Sequence, residues 1–120
     1  LHVDDHARGI AHVLVHGTPG EIYNLGGGNS RVNIEITRDL VRLTERAFDE
    51  SVRYVRDRAG HDRRYALDCE KARALGWSPE VEFTNGLADT VAWYRDHQSW
   101  WRPIKSGEFK DYYRRQYALR

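Results

Sequence analysis

Apolar positions along the chain change period several times, and each change marks a predicted element. Leu1-His2-Val3 reads as the last residues of a strand. Ala7, Ile10, Ala11, Val13 and Leu14 then recur at three- and four-residue spacing and predict a helix, capped by Asp4 or Asp5 and stopped at Gly17 with Pro19 just beyond. Glu21-Ile22-Tyr23-Asn24-Leu25 alternates polar with apolar, as a strand does, and runs into Gly26-Gly27-Gly28-Asn29-Ser30. Asn33 is the expected N-cap of a second helix, with Ile36, Leu40, Leu43, Thr44 and Ala47 on one side. Val52-Arg53-Tyr54-Val55-Arg56 alternates again and predicts a third strand. Asp68 should cap a short helix running to Leu75 and closed by Gly76, and Thr84 should open a stronger one carrying Leu87, Val91, Trp93 and Tyr94. Trp100 and Trp101 before Pro103 read as a packed hinge, and Ser106 to Tyr117 as a terminal amphipathic helix.

Short strands alternating with helices predict an α/β fold, a small mixed sheet with helices, in one domain over residues 1–120. A first strand without its beginning and a last helix without an obvious home point to a piece of a larger enzyme.

Composition narrows the partners. Nineteen basic against 18 acidic residues leave a net charge of +1, which gives no general attraction to nucleic acid or to membranes. The Arg/Lys and Tyr mixture of residues 102–117 resembles a base-stacking tail, but Glu108 and Asp111 interrupt it. A single cysteine, Cys69, excludes an internal disulfide and suits a reducing cytoplasm. His6, His12 and His16 fall near helical spacing, yet Ile10 and Leu14 on the same turns seek the core, so no metal site is predicted.

Candidate chemistry concentrates in Asp57-Arg58-Ala59-Gly60-His61-Asp62-Arg63-Arg64-Tyr65-Ala66-Leu67-Asp68, too charged for a core strand. Arg58 offers a planar guanidinium fork for phosphate or carboxylate, and His61 can donate a hydrogen bond in either protonation state. Gly60 between them permits a positive φ or close approach of a ligand. Arg63, Arg64 and Tyr65 read as structural, where the chain turns back toward a packed layer. The glycine run at 26–28 could bring backbone N–H groups to an anion or be a simple turn, and it lacks dinucleotide GxGxxG spacing.

Several stretches together resemble the C-terminal part of the dTDP-glucose 4,6-dehydratases, nucleotide-sugar enzymes of the extended short-chain dehydrogenase/reductase group. They are His2-Val3-Asp4-Asp5-His6, Gly20 to Gly27, Asp57 to Ala66, Leu75-Gly76-Trp77-Ser78-Pro79, and Gly86-Leu87 through Tyr94. The resemblance implies that Asn33 contacts the nucleotide-sugar, that Asp57, Arg58, Ala59, Gly60 and His61 hold its diphosphate, and that Tyr117 is a further substrate contact. The family's usual proline in that loop is Ala59 here, which removes a φ restraint.

The implied reaction removes hydride from sugar C4, eliminates water across C5 and C6 and returns hydride to C6, giving a dTDP-4-keto-6-deoxy sugar. NAD, the Tyr-x-x-x-Lys pair and the acidic pair of that reaction belong to the family's N-terminal Rossmann part, so no catalytic residue is expected within these 120 residues. A homodimeric, cytoplasmic parent enzyme is implied as well. The alternatives are a related UDP- or GDP-sugar dehydratase, epimerase or decarboxylase and, from other classes, a nucleic-acid binding or oligomerisation module.

Overall fold

The computed structural model describes residues 1–106, and the terminal helix expected over Ser106 to Tyr117, with Tyr117 itself, lies outside the described residues but for its first position. The described residues form six helices: α1 (Val3–His16), α2 (Asn33–Leu43), α3 (Phe48–Ser51), α4 (Glu70–Ala74), α5 (Phe83–Asp96) and α6 (Gln98–Ser106). Two compact units divide the chain, Leu1–Ala88 and Asp89–Arg120.

The expected sheet is not formed among the described residues. Residues 1–2, 21–25 and 52–56 carry no ladder there, and Val3 already belongs to α1. Val52 has extended dihedrals, φ −121° and ψ 126°. A strand, however, exists only against a neighbour that takes its N–H and C=O groups, and periodicity within one segment says nothing about that neighbour.

In the first unit, α1 packs through a stripe the apolar pattern did not mark. Asp5, Gly9 and His12, spaced i, i+4 and i+7, face inward, while Leu14 and Val15 are largely exposed. Gly9 is there because nothing larger fits: a Cβ would lie 2.9 Å from Leu25 Cδ1 and 2.9 Å from Trp77 Cε2. His12 Nε2 lies 2.8 Å from the Leu75 carbonyl, linking α1 to the end of α4. Among the described residues the buried apolar ones are Cys69, Ala72 and Trp77, so the core there gathers under α4 and the segment after it.

Asp5 is fully buried and does not cap α1, a role taken by His2, whose Nδ1 accepts the Asp4 N–H at 3.3 Å. The Asp5 carboxylate instead accepts the backbone N–H of Glu80 at 3.1 Å and of Val81 at 2.9 Å, and pairs with Arg8. Arg8 in turn reaches Glu80. Burial pushes the Asp5 pKa up, but the two amides and the guanidinium outweigh it and hold the group below its ordinary value.

The helix ends follow local chemistry. Cys69, not Asp68, holds the cap position of α4, without a side-chain bond, and Asp68 Oδ1 just before it accepts the Glu70 N–H at 2.9 Å. At the other end Gly76 has φ +96°, and two bonds complete a Schellman stop: Trp77 N–H to the Ala72 carbonyl at 3.2 Å and Gly76 N–H to that of Arg73 at 2.8 Å. The expected cap Thr84 lies inside α5, whose free amides are met by Glu82: its carboxylate accepts from Thr84 N–H at 2.7 Å and Asn85 N–H at 3.2 Å. Lys71 pairs with Glu21, fastening α4 to the extended segment at 21–25.

Acid should unfold the first unit in a defined order. Asp5, Glu21, Asp57 and Glu82 all have pKa values below the ordinary range, so the unfolded chain binds protons first as pH falls. Their contribution is therefore whole above the unfolded values, about 4, and is lost as pH drops through the folded ones. Solvent screens the three exposed groups, so Asp5 should dominate. Urea midpoints between pH 7 and pH 3 should fall steeply, and less steeply for Asp5→Asn; parallel curves would remove Asp5 from that role.

In the second unit, Trp93 stacks on His97 with centroids 4.4 Å apart and meets Trp100 edge-on at 5.3 Å. Trp101 Nε1 donates to the Tyr94 carbonyl at 2.7 Å. The residues read as a hinge are helical, with Pro103 inside α6.

Candidate functional site

The charged loop begins with a turn closed by its own side chains. Asp57 Oδ1 accepts the Arg58 N–H at 2.9 Å and lies 2.7 Å from His61 Nδ1, so one carboxylate oxygen spans the turn. The bond to His61 holds the Asp57 carboxyl below its usual pKa, burial opposes this, and the Arg58 amide adds to it. Gly60 sits at φ +70°, the left-handed conformation the turn requires. With Nδ1 engaged, His61 keeps Nε2 for a ligand, and the Arg58 side chain enters no salt bridge among the described residues. A braced turn presenting a guanidinium and an imidazole nitrogen can receive phosphate or carboxylate oxygens.

Asn33 occupies the first turn of α2 instead of capping it. Val32 is the capping residue, extended and without a side-chain bond, and the Asn33 carbonyl accepts from Thr37 Oγ1 at 2.8 Å. The Asn33 side chain therefore caps nothing in α2.

Between the approach to α2 and the second half of the charged loop lies an open cleft of about 830 Å³, into which Arg31, Asn33, Ile36, Arg63, Arg64 and Tyr65 project a face. Arg64 Nη2 reaches across to Ser30 Oγ at 3.5 Å. The Arg31 guanidinium is held over the Phe83 ring, 4.4 Å from its centroid.

Of the residues expected from sequence, Asn33 lines this cleft, whereas Asp57, Arg58, Ala59, Gly60 and His61 form the turn that precedes its second wall. Arg63, Arg64 and Tyr65, read as structural, are part of the wall. Arg31 drew no attention in the sequence, and its one signal was a cation two residues before a helix start.

The glycine run does not form a dinucleotide cradle. A Cβ on Gly26 would meet Cys69 Sγ at 3.1 Å, and one on Gly27 would meet the Leu1 nitrogen at 3.1 Å, so the chain's own atoms fill the space a pyrophosphate would need. The glycine run thus offers no pyrophosphate cradle, and no cluster of His, Cys, Asp or Glu among the described residues could hold a metal ion. No described helix is long and apolar enough to cross a membrane.

Known proteins carry the same pattern. The dTDP-glucose 4,6-dehydratase of Streptomyces niveus is 49% identical over 107 residues, covering 88% of this chain and 32% of its own length. dTDP-glucose 4,6-dehydratase 1 of Escherichia coli K12 is 41% identical and covers 100% of this chain, again with only 35% of its own length matched. Among solved structures, the Bacillus anthracis dTDP-glucose 4,6-dehydratase in complex with NAD superposes with a TM-score of 0.78 at 41% identity over 87% of this chain and 33% of that one. DesIV, the dTDP-glucose 4,6-dehydratase of Streptomyces venezuelae, solved with NAD and a further ligand, gives 0.77 at 51% identity over 84% of this chain and 31% of that one. These likenesses agree with the α/β class. The chain spans about a third of the length of the relatives it matches. Residues 1–90 match the family described as GDP-mannose 4,6 dehydratase, and the chain belongs to that family.

Proposed function

We propose that this chain is the nucleotide-sugar-binding C-terminal part, residues 1–120, of a dTDP-glucose 4,6-dehydratase, an NAD-dependent lyase forming dTDP-4-keto-6-deoxyglucose. One observation carries the reading: Asn33 shares a cleft with the arginines that directly follow the braced Asp57–His61 turn. That arrangement supplies an amide and several guanidinium groups for a diphosphate-sugar, with Arg58 and His61 turned to phosphate oxygens and Tyr117 as a further contact. The high identity to dTDP-glucose enzymes supports the choice of nucleotide. NAD would supply the removal and return of hydride and would be held by other parts of the parent enzyme. A homodimeric parent in the cytoplasm completes the proposal.

Thermal unfolding of the full-length protein with dTDP, UDP or GDP at equal concentration tests it. Linkage raises the midpoint most for the tightest ligand, so dTDP should give the largest shift. A larger shift with UDP or GDP would move the protein to a related sugar-nucleotide enzyme, and no shift with any of them would overturn the reading.

A further inference from the structure

Arg31, Arg63 and Arg64 line one cleft, where Asp62 is the single acidic lining residue. None of the three enters a salt bridge among the described residues. Two are nonetheless positioned, Arg31 by the Phe83 ring and Arg64 by its reach to Ser30 across the cleft. A charged pair that merely stabilised the loop would be expected to find carboxylates, as Arg42 does with Asp39 on α2. Three arginines lining one cleft make it favourable for an anion. The volume of about 830 Å³ is that of a cavity for a small organic ligand, larger than one phosphate needs.

We propose that Arg63 and Arg64 are phosphate-binding residues of the nucleotide-sugar site, in the cleft they line together with Arg31 and Asn33. The inference rests on the function proposed above and deepens it: the diphosphate is held from both ends of the loop, by Arg58 and His61 on the turn and by Arg63 and Arg64 in the cleft. Arg64 is kept at its part of the wall by its reach to Ser30. Both side chains present the planar fork that matches phosphate oxygens in pairs, so lysine at either position would keep charge and lose geometry.

Calorimetric titration of the full-length protein with dTDP and with thymidine separates the possibilities, using Arg63→Ala, Arg64→Ala, Arg63→Lys and Arg58→Ala. Loss of a charge-assisted contact to phosphate should weaken dTDP binding about tenfold or more in each alanine variant, leave thymidine within about twofold, and be partly restored by lysine. If Arg63→Ala and Arg64→Ala bind dTDP as the unaltered protein does while Arg58→Ala does not, the turn alone holds the diphosphate and the proposal falls, the function standing. Equal losses for dTDP and thymidine would make the two arginines structural and overturn it too. Failure of the unaltered protein to bind dTDP would instead remove the proposed function.

Discussion

Asp5→Ala is expected to cost about 3–5 kcal/mol of stability, the range for removing one partner from a buried charged network. The substitution strips the Glu80 and Val81 amides of their acceptor, the fully buried Asp5 carboxylate, and leaves Arg8 with Glu80 alone. Amides left without an acceptor cost more than the lost bonds themselves. Asp5→Asn keeps one acceptor oxygen and gives up the charge, so it should fall between the alanine variant and the unaltered protein. Chemical denaturation of the full-length protein measures both; a loss under about 1 kcal/mol for alanine would mean that the 79–81 segment is held by other contacts.

The second large effect belongs to Trp77, 4% exposed and packed on Gly9 and against Leu25. Trp77→Ala should cost about 3–5 kcal/mol, because α1 cannot collapse into the space without dragging its Asp5 anchor. Trp77→Phe should behave differently. The indole Nε1 is buried without a hydrogen-bond partner among the described residues, so phenylalanine discards a desolvated donor along with some packing. A change within about 1.5 kcal/mol is expected for it. Equal losses for the two variants would show that the indole nitrogen is bonded in the full-length protein.

These two residues also show what could be read from sequence and what could not. The stop of α4 at Gly76 was legible, and so was the Asp68 bond to the first amide of α4, since each depends on a few adjacent atoms. The inward face of α1 was not. Ile10 and Leu14 formed the apolar stripe, yet they are 55% and 85% exposed, while an aspartate and a glycine face the core. Only the partners at Glu80, Val81, Leu25 and Trp77 decide that, and they lie far along the chain. The missing ladders at 21–25 and 52–56 have the same origin. At the site, the charged loop stood out by composition, but its partition did not: that Arg63 and Arg64 share a cleft with Asn33 depends on where the 29–33 segment passes.

The clasp between Asp57 and His61 bears on how fast a ligand can be held. Ala59 places no proline restraint on φ in this turn, which is ordered by a removable bond. While the clasp is made, the conformational entropy of residues 58–60 has already been given up before any encounter, and a ligand meets a prearranged surface. When it opens, the same residues regain freedom that a proline would have denied them. On the proposed function, retention of a bound nucleotide would be coupled to the lifetime of one side-chain contact, making residence time more sensitive than encounter rate to the state of this turn.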